Sequence, residues 1–591
     1  MLKKILLNVS KIGNIVLAWF NFCLFFALRP CWSGISKELQ YESSGSWLIL
    51  NLPVILCIVF LLVALAVTFL YIFMKKEKNL WSYIFNGVNI VFLIAICVVI
   101  YLGAVDYMDY VWPMFFQYVG ISIPISIVIF LIFYYPKTPL ANSKLFKYGF
   151  VGLVCLTTAF NIFNITINYI STGAVVYAVK DDYQIVFSSN TKSRGWVEIN
   201  GERYFDNYAG SNRSYTNIHK VTIPQNILDE AKEYTIHVQK VTYEGPFGGY
   251  MGRDISKKYN FKPVDTSDGN LNYYSLSDIH MAKDAAKKAA DHMADKELLV
   301  LAGDLVSMMD SHYDANLTNI IANGITKGEI AVVYARGNHE LKGRYSEEFH
   351  NYVGADNENF YYYFTLNNKQ VYGVVLDIGE DHDDDYWEYY DMANYDQYRL
   401  EQHASKDKDG FDGFLANEIK TKDLSQYKYR LAVCHIPVVF VNNRKNHVEA
   451  KESMTALLNQ MNIDMMISGH QHDLFVFEPD RVEYNENGKM LWNEIYGLNS
   501  KGERKTYNGY ATDHNFINIL VSKRGHTQID EPGLANYSSQ IGMSTRVNFS
   551  SLTQTCAFND SKGNKINIVP PFCDYDYGNE IIFSLTTHKV A

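Results

Sequence analysis

The sequence predicts a chain of three parts: a bundle of membrane-spanning helices, a small β-sandwich and a larger α/β domain. Apolar runs dominate residues 1–172, short β-rich runs fill residues 173–262, and strand and helix patterns alternate over residues 270–530. With 591 residues, the chain is long enough for three or four domains of roughly 150 residues each. The remaining residues, 531–591, carry β-like runs and are expected to form a C-terminal extension whose role the pattern does not indicate.

Five runs in the first part are apolar enough, and long enough at about 20 residues, to cross a bilayer as helices. They lie near residues 12–28, 48–74, 81–104, 111–135 and 146–170. A cleaved signal peptide is the alternative for the first run, but no small-residue cleavage pattern follows it. The sequence therefore predicts a multi-pass protein embedded in a lipid bilayer.

Positive charge sets the predicted orientation, because short loops rich in Lys and Arg stay in the cytoplasm. Three lysine clusters fall on one side of the membrane if the N-terminus is cytoplasmic: Lys3 and Lys4; Lys75, Lys76 and Lys78; and Lys137, Lys144 and Lys147. Five spans then carry the chain across. We therefore expect the cell membrane as the location, with everything after residue 172 extracytoplasmic.

The net charge of −10 argues against one class of partner. A protein that binds nucleic acid through the phosphate backbone needs a basic surface. We therefore expect no nucleic-acid partner, and the sequence does not indicate an oligomeric state.

The second part is typical of a sandwich of about 90 residues. Its runs "QIVFSS", "RGWVEIN", "VTIP" and "YTIHVQKV" favour strands, and the Asn, Gly, Ser and Pro residues between them favour turns. The stretch "FKPVDTSDGNLN" is expected to be the linker to the α/β domain.

Polar side chains follow five predicted strands of the α/β domain, at the point where each strand ends. "YYSL" leads to Asp278 and His280, "LLVLA" to Asp304, "IAVVYA" to Asn338 and His339, "YRLAVC" to His435, and "DMMIS" to His470 and His472. In open α/β sheets, ligands bind at the carboxyl ends of the strands. A lone histidine at a strand end is more often a hydrogen-bonded loop residue, but five such motifs in order are not expected by chance.

These residue types suit a pair of metal ions. Two aspartates, one asparagine and several histidines offer oxygen and nitrogen ligands, which favour Mn, Fe or Zn over Ca. An aspartate can bridge two cations about 3.5–4 Å apart, and a water held between them becomes a nucleophile near neutral pH. Glycines precede Asp304, Asn338 and His470 and allow tight turns into the site. The sequence therefore predicts a site for two divalent or trivalent metal ions.

The motifs Asp-x-His, Gly-Asp, Gly-Asn-His-Glu, a single His and Gly-His-x-His resemble, in this order, those of the calcineurin-like metallophosphoesterases. The resemblance covers about residues 270–530 and implies an αββα sandwich, with two central sheets and a dinuclear site. It also implies metal ligands: Asp278, His280 and His472 for the first metal, Asn338, His435 and His470 for the second, and Asp304 as the bridge. His339 would be the catalytic residue over the substrate phosphate, as a ligand to its oxygens and a candidate general acid, with Glu340 as an orienting carboxylate behind it.

The preceding sandwich resembles the fibronectin III-like N-terminal domain of purple acid phosphatases, but the match to that group is partial. Those enzymes carry a Tyr three residues after the bridging Asp, where this chain has Ser307, and they lack the counterpart of His280. In much of the wider family another Asp stands at the Ser307 position, and Asp310 is a candidate to replace it. The architecture thus resembles purple acid phosphatases, whereas the ligand set resembles the wider family.

We therefore expect a membrane-anchored, extracytoplasmic phosphoesterase that hydrolyses a phosphate ester with a hydroxide held by two metal ions. The alternative is a surface binding or sensing protein with a degenerate phosphoesterase domain. Phosphomonoesters, phosphodiesters, nucleotides and lipid-linked pyrophosphates are all candidate substrates.

Three further features are weaker candidates. The acidic stretch "GEDHDDD", residues 379–385, is interpreted as a solvated loop, with cation binding or substrate steering as the alternative. Asp513 and His514 are candidates to reach the pocket. Cys556 and Cys573 are candidates for one disulfide.

Overall fold

The computed structural model describes residues 168–591 except 209–210, 213–215, 246–247, 385–391, 405–409, 411, 443–445, 473, 480–492, 499–503, 522–539, 567–577 and 579. The predicted membrane spans lie outside the described residues, apart from the last three positions of the fifth run. In the part that is described, no helix is both long and apolar enough to cross a membrane. The five spans therefore stay a prediction.

The described residues form 23 strands and six α-helices. The strands are β1 Ile170–Val179, β2 Asp182–Ile199, β3 Glu202–Phe205, β4 Asn207–Tyr208, β5 Ser211–Asn212, β6 Thr216–Pro224, β7 Glu233–Gly245, β8 Gly248–Asn260, β9 Asn270–Leu276, β10 Leu298–Ala302, β11 Ala331–Ala335, β12 Tyr362–Leu366, β13 Val371–Leu376, β14 Tyr429–Cys434, β15 Phe440–Asn442, β16 Met465–Ser468, β17 Phe475–Phe477, β18 Asn493–Leu498, β19 Arg504–Ala511, β20 Ile517–Leu520, β21 Ile541–Asn548, β22 Thr553–Asp560 and β23 Glu580–Ser584. The helices are α1 Gln225–Ala231, α2 Lys283–Asp291, α3 His312–Thr326, α4 Tyr395–His403, α5 Phe414–Thr421 and α6 Val448–Met461, and short 3-10 turns cover Asn338–Leu341, Phe349–Asn351 and Leu424–Gln426.

The first sheet has 12 strands in the order β23-β22-β21-β9-β10-β11-β1-β2-β7-β8, with β3 and β6 also paired to β2. Strands β9, β10, β11 and β1 run parallel to one another at its centre. Every residue of β10 ("LLVLA") and β11 ("AVVYA") is buried, which is typical of parallel strands that are covered on both faces.

The second sheet has six strands in the order β12-β13-β14-β16-β20-β17. Its four inner strands run parallel, and the two edge strands are antiparallel to their neighbours. Successive side chains of β13 point to opposite faces. Val371 and Val375 pack in the core shared with the first sheet, whereas Tyr372 and Val374 pack in a second core.

Helices cover the outer faces of both sheets. Ala286 and Ala289 of α2 belong to the core of the first sheet, and small side chains at these positions let the helix approach closely. Met454 and Leu458 of α6 belong to the second core, on the other face of the second sheet. Two stacked sheets with helices packed against them confirm the predicted α/β domain.

The strands predicted as a separate sandwich at residues 173–262 instead extend the first sheet. β1 pairs in parallel with β11, with Val176 opposite Ala331, so backbone hydrogen bonds join the two segments into one sheet. The runs "QIVFSS" and "RGWVEIN" lie in one 18-residue strand, β2. β2 pairs with β1 and β6 in its first half and with β3 and β7 in its second half, with an irregularity between Ser188 and Ser193. The predicted strands are therefore present in a sandwich-like sheet, whereas an independent fibronectin III-like domain is not seen in the described residues.

Strands at both ends of the described part lie close to predicted domain boundaries. β1 begins at Ile170, inside the segment 1–172 that was assigned to the membrane part. At the other end, β21 of the C-terminal extension pairs with β9, from Met543 opposite Ser275 to Asn548 opposite Asn270. The extension therefore covers the edge of the strand that leads to Asp278. Cys556 is buried in β22 and Cys573 lies outside the described residues, so their disulfide stays a prediction.

Candidate metal centre

The predicted polar motifs meet at the carboxyl ends of the central strands. Asp278 and His280 follow β9, Asp304 follows β10, and His470 and His472 follow β16. Parallel neighbours bring these strand ends to the same edge of their sheets. Four of the five residues, all except His470, are buried, and each offers a ligand atom within 4.8 Å of those of the others.

These residues hold a backbone conformation that L-amino acids rarely adopt. The φ angles are 52° at Asp278, 43° at His280, 54° at Asp304, 73° at His470 and 54° at His472. The left-handed conformation is unfavourable by roughly 1–2 kcal/mol per residue. Five cases at one site therefore require the surrounding structure to impose them, and such strain is concentrated at functional sites.

Glycines allow the strand ends to approach one another closely. Gly303 has a φ of 82°, and a Cβ atom there would lie 2.7 Å from the backbone nitrogen of Gly337 and 2.7 Å from Cγ of His435. A Cβ atom at Gly469 would lie 2.6 Å from Oδ2 of Asp278. These two glycines of the predicted tight turns therefore also leave room for the neighbouring ligand side chains.

Asp278, His280 and His472, which we call the first ligand group, lie in mutual contact. Nε2 of His280 is 3.1 Å from Nε2 of His472, and Nε2 of His472 is 3.3 Å from Oδ1 of Asp278. Oδ2 of Asp304 lies 3.7 Å from Nε2 of His280. The first ligand group therefore adjoins the predicted bridging carboxylate.

Asn338, His435 and His470, which we call the second ligand group, adjoin the same carboxylate. Nε2 of His435 is 3.2 Å from Oδ2 of Asp304, and Nδ1 of His470 is 3.2 Å from Oδ1 of Asn338. The backbone N–H of His470 donates to both carboxylate oxygens of Asp278, at 3.1 and 3.0 Å, and thereby links the two groups. Asp304 thus lies next to both ligand groups, as a bridging role requires.

The charges at the site favour a positive ion. Burial alone would raise the pKa of Asp278 and of Asp304, but the adjacent His472 and His435, respectively, hold both pKa values below the usual range. Burial alone would lower the pKa of His435, yet the Asp304 and Asp278 carboxylates raise it to about 10. The two buried carboxylates therefore attract compensating positive charge, which bound cations can supply.

A third buried carboxylate, Glu340, holds the backbone around Asp304. Its oxygens accept hydrogen bonds from the backbone N–H groups of Asp304 at 3.0 Å, Leu305 at 2.7 Å and Gly337 at 2.9 Å. Burial and the negative charge of Asp304 raise the pKa of Glu340 to about 7. Glu340 therefore orients the turns that carry Asp304 and Asn338 through its hydrogen bonds to their backbone.

The histidine nitrogen atoms of the site are also suited to binding metal ions. Nδ1 of His435 lies 2.7 Å from the carbonyl oxygen of Ala302, which can only accept, so Nδ1 is the donor. In the neutral ring, Nε2 then carries the lone pair that a metal needs. This buried Nε2 atom faces Oδ2 of Asp304 at 3.2 Å. The site thus holds an oriented nitrogen ligand next to the predicted bridging carboxylate.

His339 stands beside the ligand groups with its side chain 27% exposed. Its backbone N–H donates to Oδ1 of Asp304 at 3.0 Å, and its Nδ1 donates to the carbonyl oxygen of Ser307 at 2.8 Å. Its Nε2 lies 3.8 Å from Oδ2 of Asp304. The ring is therefore held at one nitrogen and reaches the site, with access to solvent, through the other.

Two further carboxylates lie at the site, in the acidic stretch for which cation binding was the alternative interpretation. Glu380 and Asp381 are 1% and 8% exposed, and they contact Asn338 and His470, respectively. The interpretation of residues 379–385 as a solvated loop is therefore wrong for these two positions. Both follow β13, so the strand-end rule that found the other motifs would have found them in a sixth strand.

The remaining candidates do not join the cluster. His514 is buried, donates through Nδ1 to the carbonyl oxygen of Thr512 at 2.7 Å and packs against Phe516. Asp310 is exposed and is not among the clustered ligands of the described residues. Ser307 contributes its carbonyl oxygen to His339, which is a contact that its residue type does not predict.

Comparison with known proteins identifies the segment that carries these residues. Residues 272–474 match the model of the family described as calcineurin-like phosphoesterase. No match was found among curated proteins. Similar solved structures include the purple acid phosphatase PPD1 from yellow lupin (Lupinus luteus), with 11% identity, 68% of this chain and 73% of that chain covered, and a TM-score of 0.40. A second similar structure is a dimetal phosphatase from Danio rerio, with 13% identity, 54% of this chain and 100% of that chain covered, and a TM-score of 0.30. A third is GAP50, the anchor in the inner membrane complex of Plasmodium, with 12% identity, 52% of this chain and 90% of that chain covered, and a TM-score of 0.29.

The matched segment contains all seven predicted ligands, from Asp278 to His472. The chain therefore carries a calcineurin-like metallophosphoesterase domain with an intact, buried cluster of Asp and His side chains. The chain is therefore an enzyme, a hydrolase that acts on phosphate ester bonds.

Proposed function

We propose that the protein is a membrane-anchored phosphoesterase that hydrolyses a phosphate ester outside the cytoplasm with two bound metal ions, Mn, Fe or Zn. The observation that carries the proposal is the position of Asp304, whose Oδ2 lies 3.7 Å from the first ligand group and 3.2 Å from the second. One carboxylate next to two sets of nitrogen and oxygen ligands is the arrangement that a metal pair needs.

The chain's own residues divide the work between them. When bound, the metal pair would activate water as the nucleophile and neutralise charge on the phosphate oxygens. Asp304 would be shared by both ions, while Asp278, His280 and His472 hold one and Asn338, His435 and His470 hold the other. Glu340 keeps the backbone turns of the bridge and of Asn338 in register, through the N–H groups of Asp304 and Gly337.

His339 is the residue that meets the substrate. Because Nδ1 donates to the Ser307 carbonyl, the proton that the ring can give away is on Nε2. In the protonated ring, Nε2–H can donate to a phosphate oxygen or to the leaving oxygen of the ester. The backbone contact with Asp304 fixes how far this nitrogen stands from the ligand groups.

The membrane location rests on the sequence. Five apolar runs precede the catalytic unit, and the three lysine clusters lie on one side only if the N-terminus is cytoplasmic. The odd number of spans then leaves the phosphoesterase domain on the opposite side from the N-terminus. A substrate in the extracytoplasmic space or at the outer membrane surface is consistent with this orientation.

A substrate panel tests the catalytic part. The full-length protein is purified in detergent, stripped with a chelator and reloaded separately with Mn, Zn and Fe. It is then assayed on a phosphomonoester, a phosphodiester, a nucleotide and a lipid-linked pyrophosphate. The proposal expects metal-dependent hydrolysis of at least one substrate class, followed by the alcohol, monoester or phosphate that it releases. Activity that is unchanged after chelation would reject the metal mechanism.

Protease access in intact cells tests the location. Added protease is expected to cut the segment after residue 172 and to leave the loop near Lys75 protected. Protection of the catalytic unit in intact cells, with cleavage only after lysis, would reverse the proposed orientation.

A further inference from the structure

The loop that follows β13 brings two carboxylates into the metal centre. Gly379 has a φ of 78°, and its N–H donates to Oδ1 of Asp377 at 2.8 Å, which turns the chain back after the strand. Nη1 of Arg399, a buried side chain, donates to the carbonyl oxygen of Ile378 at 2.8 Å and holds this turn. Both carboxylates that follow, at 380 and 381, are buried and therefore have defined partners.

Glu380 holds the amide group of Asn338. Nδ2 of Asn338 lies 3.2 Å from each carboxylate oxygen of Glu380. With the NH₂ end held there, Oδ1 of Asn338 points to the other side, where it lies 3.2 Å from Nδ1 of His470. A carboxylate can only accept hydrogen bonds, so it selects one of the two orientations of the amide, the one that turns the oxygen towards the second ligand group.

Asp381 stands on the outer side of His470. Oδ2 of Asp381 is 3.5 Å from Nε2 of His470, while Nδ1 of the same ring lies beside Asn338. A histidine that binds a metal through one nitrogen usually directs the other to a carboxylate, a carbonyl or water, which fixes the orientation of the ring. The carboxylate of Asp381 is in the place that this arrangement requires.

Lysines neutralise both carboxylates. Nζ of Lys342 lies 3.5 Å from Oε2 of Glu380, and Nζ of the buried Lys451 lies 3.5 Å from Oδ1 of Asp381. Nζ of Lys451 also donates to the carbonyl oxygen of Phe440 at 3.3 Å. Pairing makes it possible to keep two ionised groups buried beside the site, and it holds them in place.

We propose that Glu380 and Asp381 are positioning residues that fix Asn338 and His470 in the orientation needed to bind the second metal. The proposal rests on the two-metal function proposed above. It assigns both carboxylates to the second ligand group, because their contacts are with Asn338 and His470. The alternative is that Glu380 and Asp381 only anchor the loop to Lys342 and Lys451.

Titration of the full-length, chelator-stripped protein with Mn²⁺ distinguishes a role in positioning metal ligands from a role in anchoring the loop. The wild type is expected to bind two equivalents. In Glu380→Ala and in Asp381→Ala, one of the two sites is expected to weaken by about 10–100-fold, the usual effect of removing a partner of a metal ligand, while the other site is unchanged. Glu380→Gln keeps a carbonyl oxygen for the Asn338 amide and is expected to bind more tightly than Glu380→Ala.

Glu418→Ala is the matched control. Glu418 lies on α5, outside the ligand groups. Like the two carboxylates, it is buried and paired with a lysine, Lys422 at 3.3 Å, and it also accepts a hydrogen bond from the Tyr372 hydroxyl at 2.7 Å. Its loss is expected to lower the melting temperature without changing either metal site. Two sites of wild-type affinity in both Glu380→Ala and Asp381→Ala, or equal weakening of both sites, would overturn the proposal. If Glu380→Ala does not fold, Asp381→Ala decides by the same criterion. A wild type that binds fewer than two equivalents would instead contradict the two-metal function itself.

Discussion

Replacing His339 by Ala should show what its exposed nitrogen does. In the structure the ring is held by Nδ1 at the Ser307 carbonyl, 2.8 Å away, and Nε2 is left to face the site. Because the contact between Asp304 and position 339 runs through the backbone N–H, His339→Ala keeps it. The substitution therefore removes the proton donor while the bridging carboxylate stays in place, and metal content should not change.

The expected loss depends on the leaving group. General acid help is typically worth 10²- to 10⁴-fold in rate, or about 3–5 kcal/mol of barrier at 1.36 kcal/mol per tenfold change. An alkoxide leaving group needs this proton, so hydrolysis of an alkyl phosphate should fall by about that factor. Nitrophenolate leaves without it, so nitrophenyl phosphate should be slowed only mildly. The assay is kcat/KM for both esters in the wild type and in His339→Ala.

His339→Asn serves as the control. Its amide can still hold a phosphate oxygen, but it cannot act as an acid, so it should resemble His339→Ala on the alkyl ester. A similar loss on both esters, together with recovery in His339→Asn, would refute the general-acid reasoning and leave His339 as a binding residue.

Three further predictions follow from the geometry. Gly303→Ala should destabilise the fold by about 2–5 kcal/mol, because it combines an unfavourable left-handed conformation with overpacking against Gly337 and His435. Thermal unfolding measures this loss, and an unchanged melting temperature would contradict the close approach of Gly303 to these residues. The iron-loaded protein should lack a strong tyrosinate band in its visible spectrum, because Ser307 has no phenolate; such a band would mean that another residue, such as the exposed Tyr313, reaches the metal. Removing residues 541–591 should prevent folding of the catalytic unit, because β9 then loses its hydrogen-bonded neighbour β21. Circular dichroism tests this, and a native spectrum would show that β9 tolerates an unpaired edge.

Much of the site could be predicted because its information is local. Each of Asp278, Asp304 and His470 follows a short apolar run, and the carboxyl end of a strand is the place where α/β sheets bind ligands. Glu380 and Asp381 were assigned to a solvated loop because their acidic neighbours made the stretch look like solvent-exposed sequence. Their burial depends on the turn at Gly379 and on partners far away in the chain, which a local pattern does not contain.

The fold was predictable in its elements but not in their partners. The alternating strand and helix patterns predicted an α/β domain, the resemblance to calcineurin-like metallophosphoesterases implied its αββα layers, and the β-rich runs before residue 262 are strands in the structure. Their attachment was not foreseeable, because the pairing of Val176 with Ala331 joins residues 155 positions apart and leaves no local mark. The same holds for β21, which reaches β9 from the C-terminal extension.

The metal content of the Asp304→Asn variant is the most direct test of a dinuclear metal site. Asp304 is the carboxylate that adjoins both ligand groups, whereas Asp278 belongs to the first group alone. We expect two equivalents of metal and phosphate-ester hydrolysis in the full-length wild type. We expect loss of metal from both sites and of essentially all turnover in Asp304→Asn, and a smaller loss of metal in Asp278→Asn. Wild-type metal content with normal turnover in Asp304→Asn would contradict the dinuclear site.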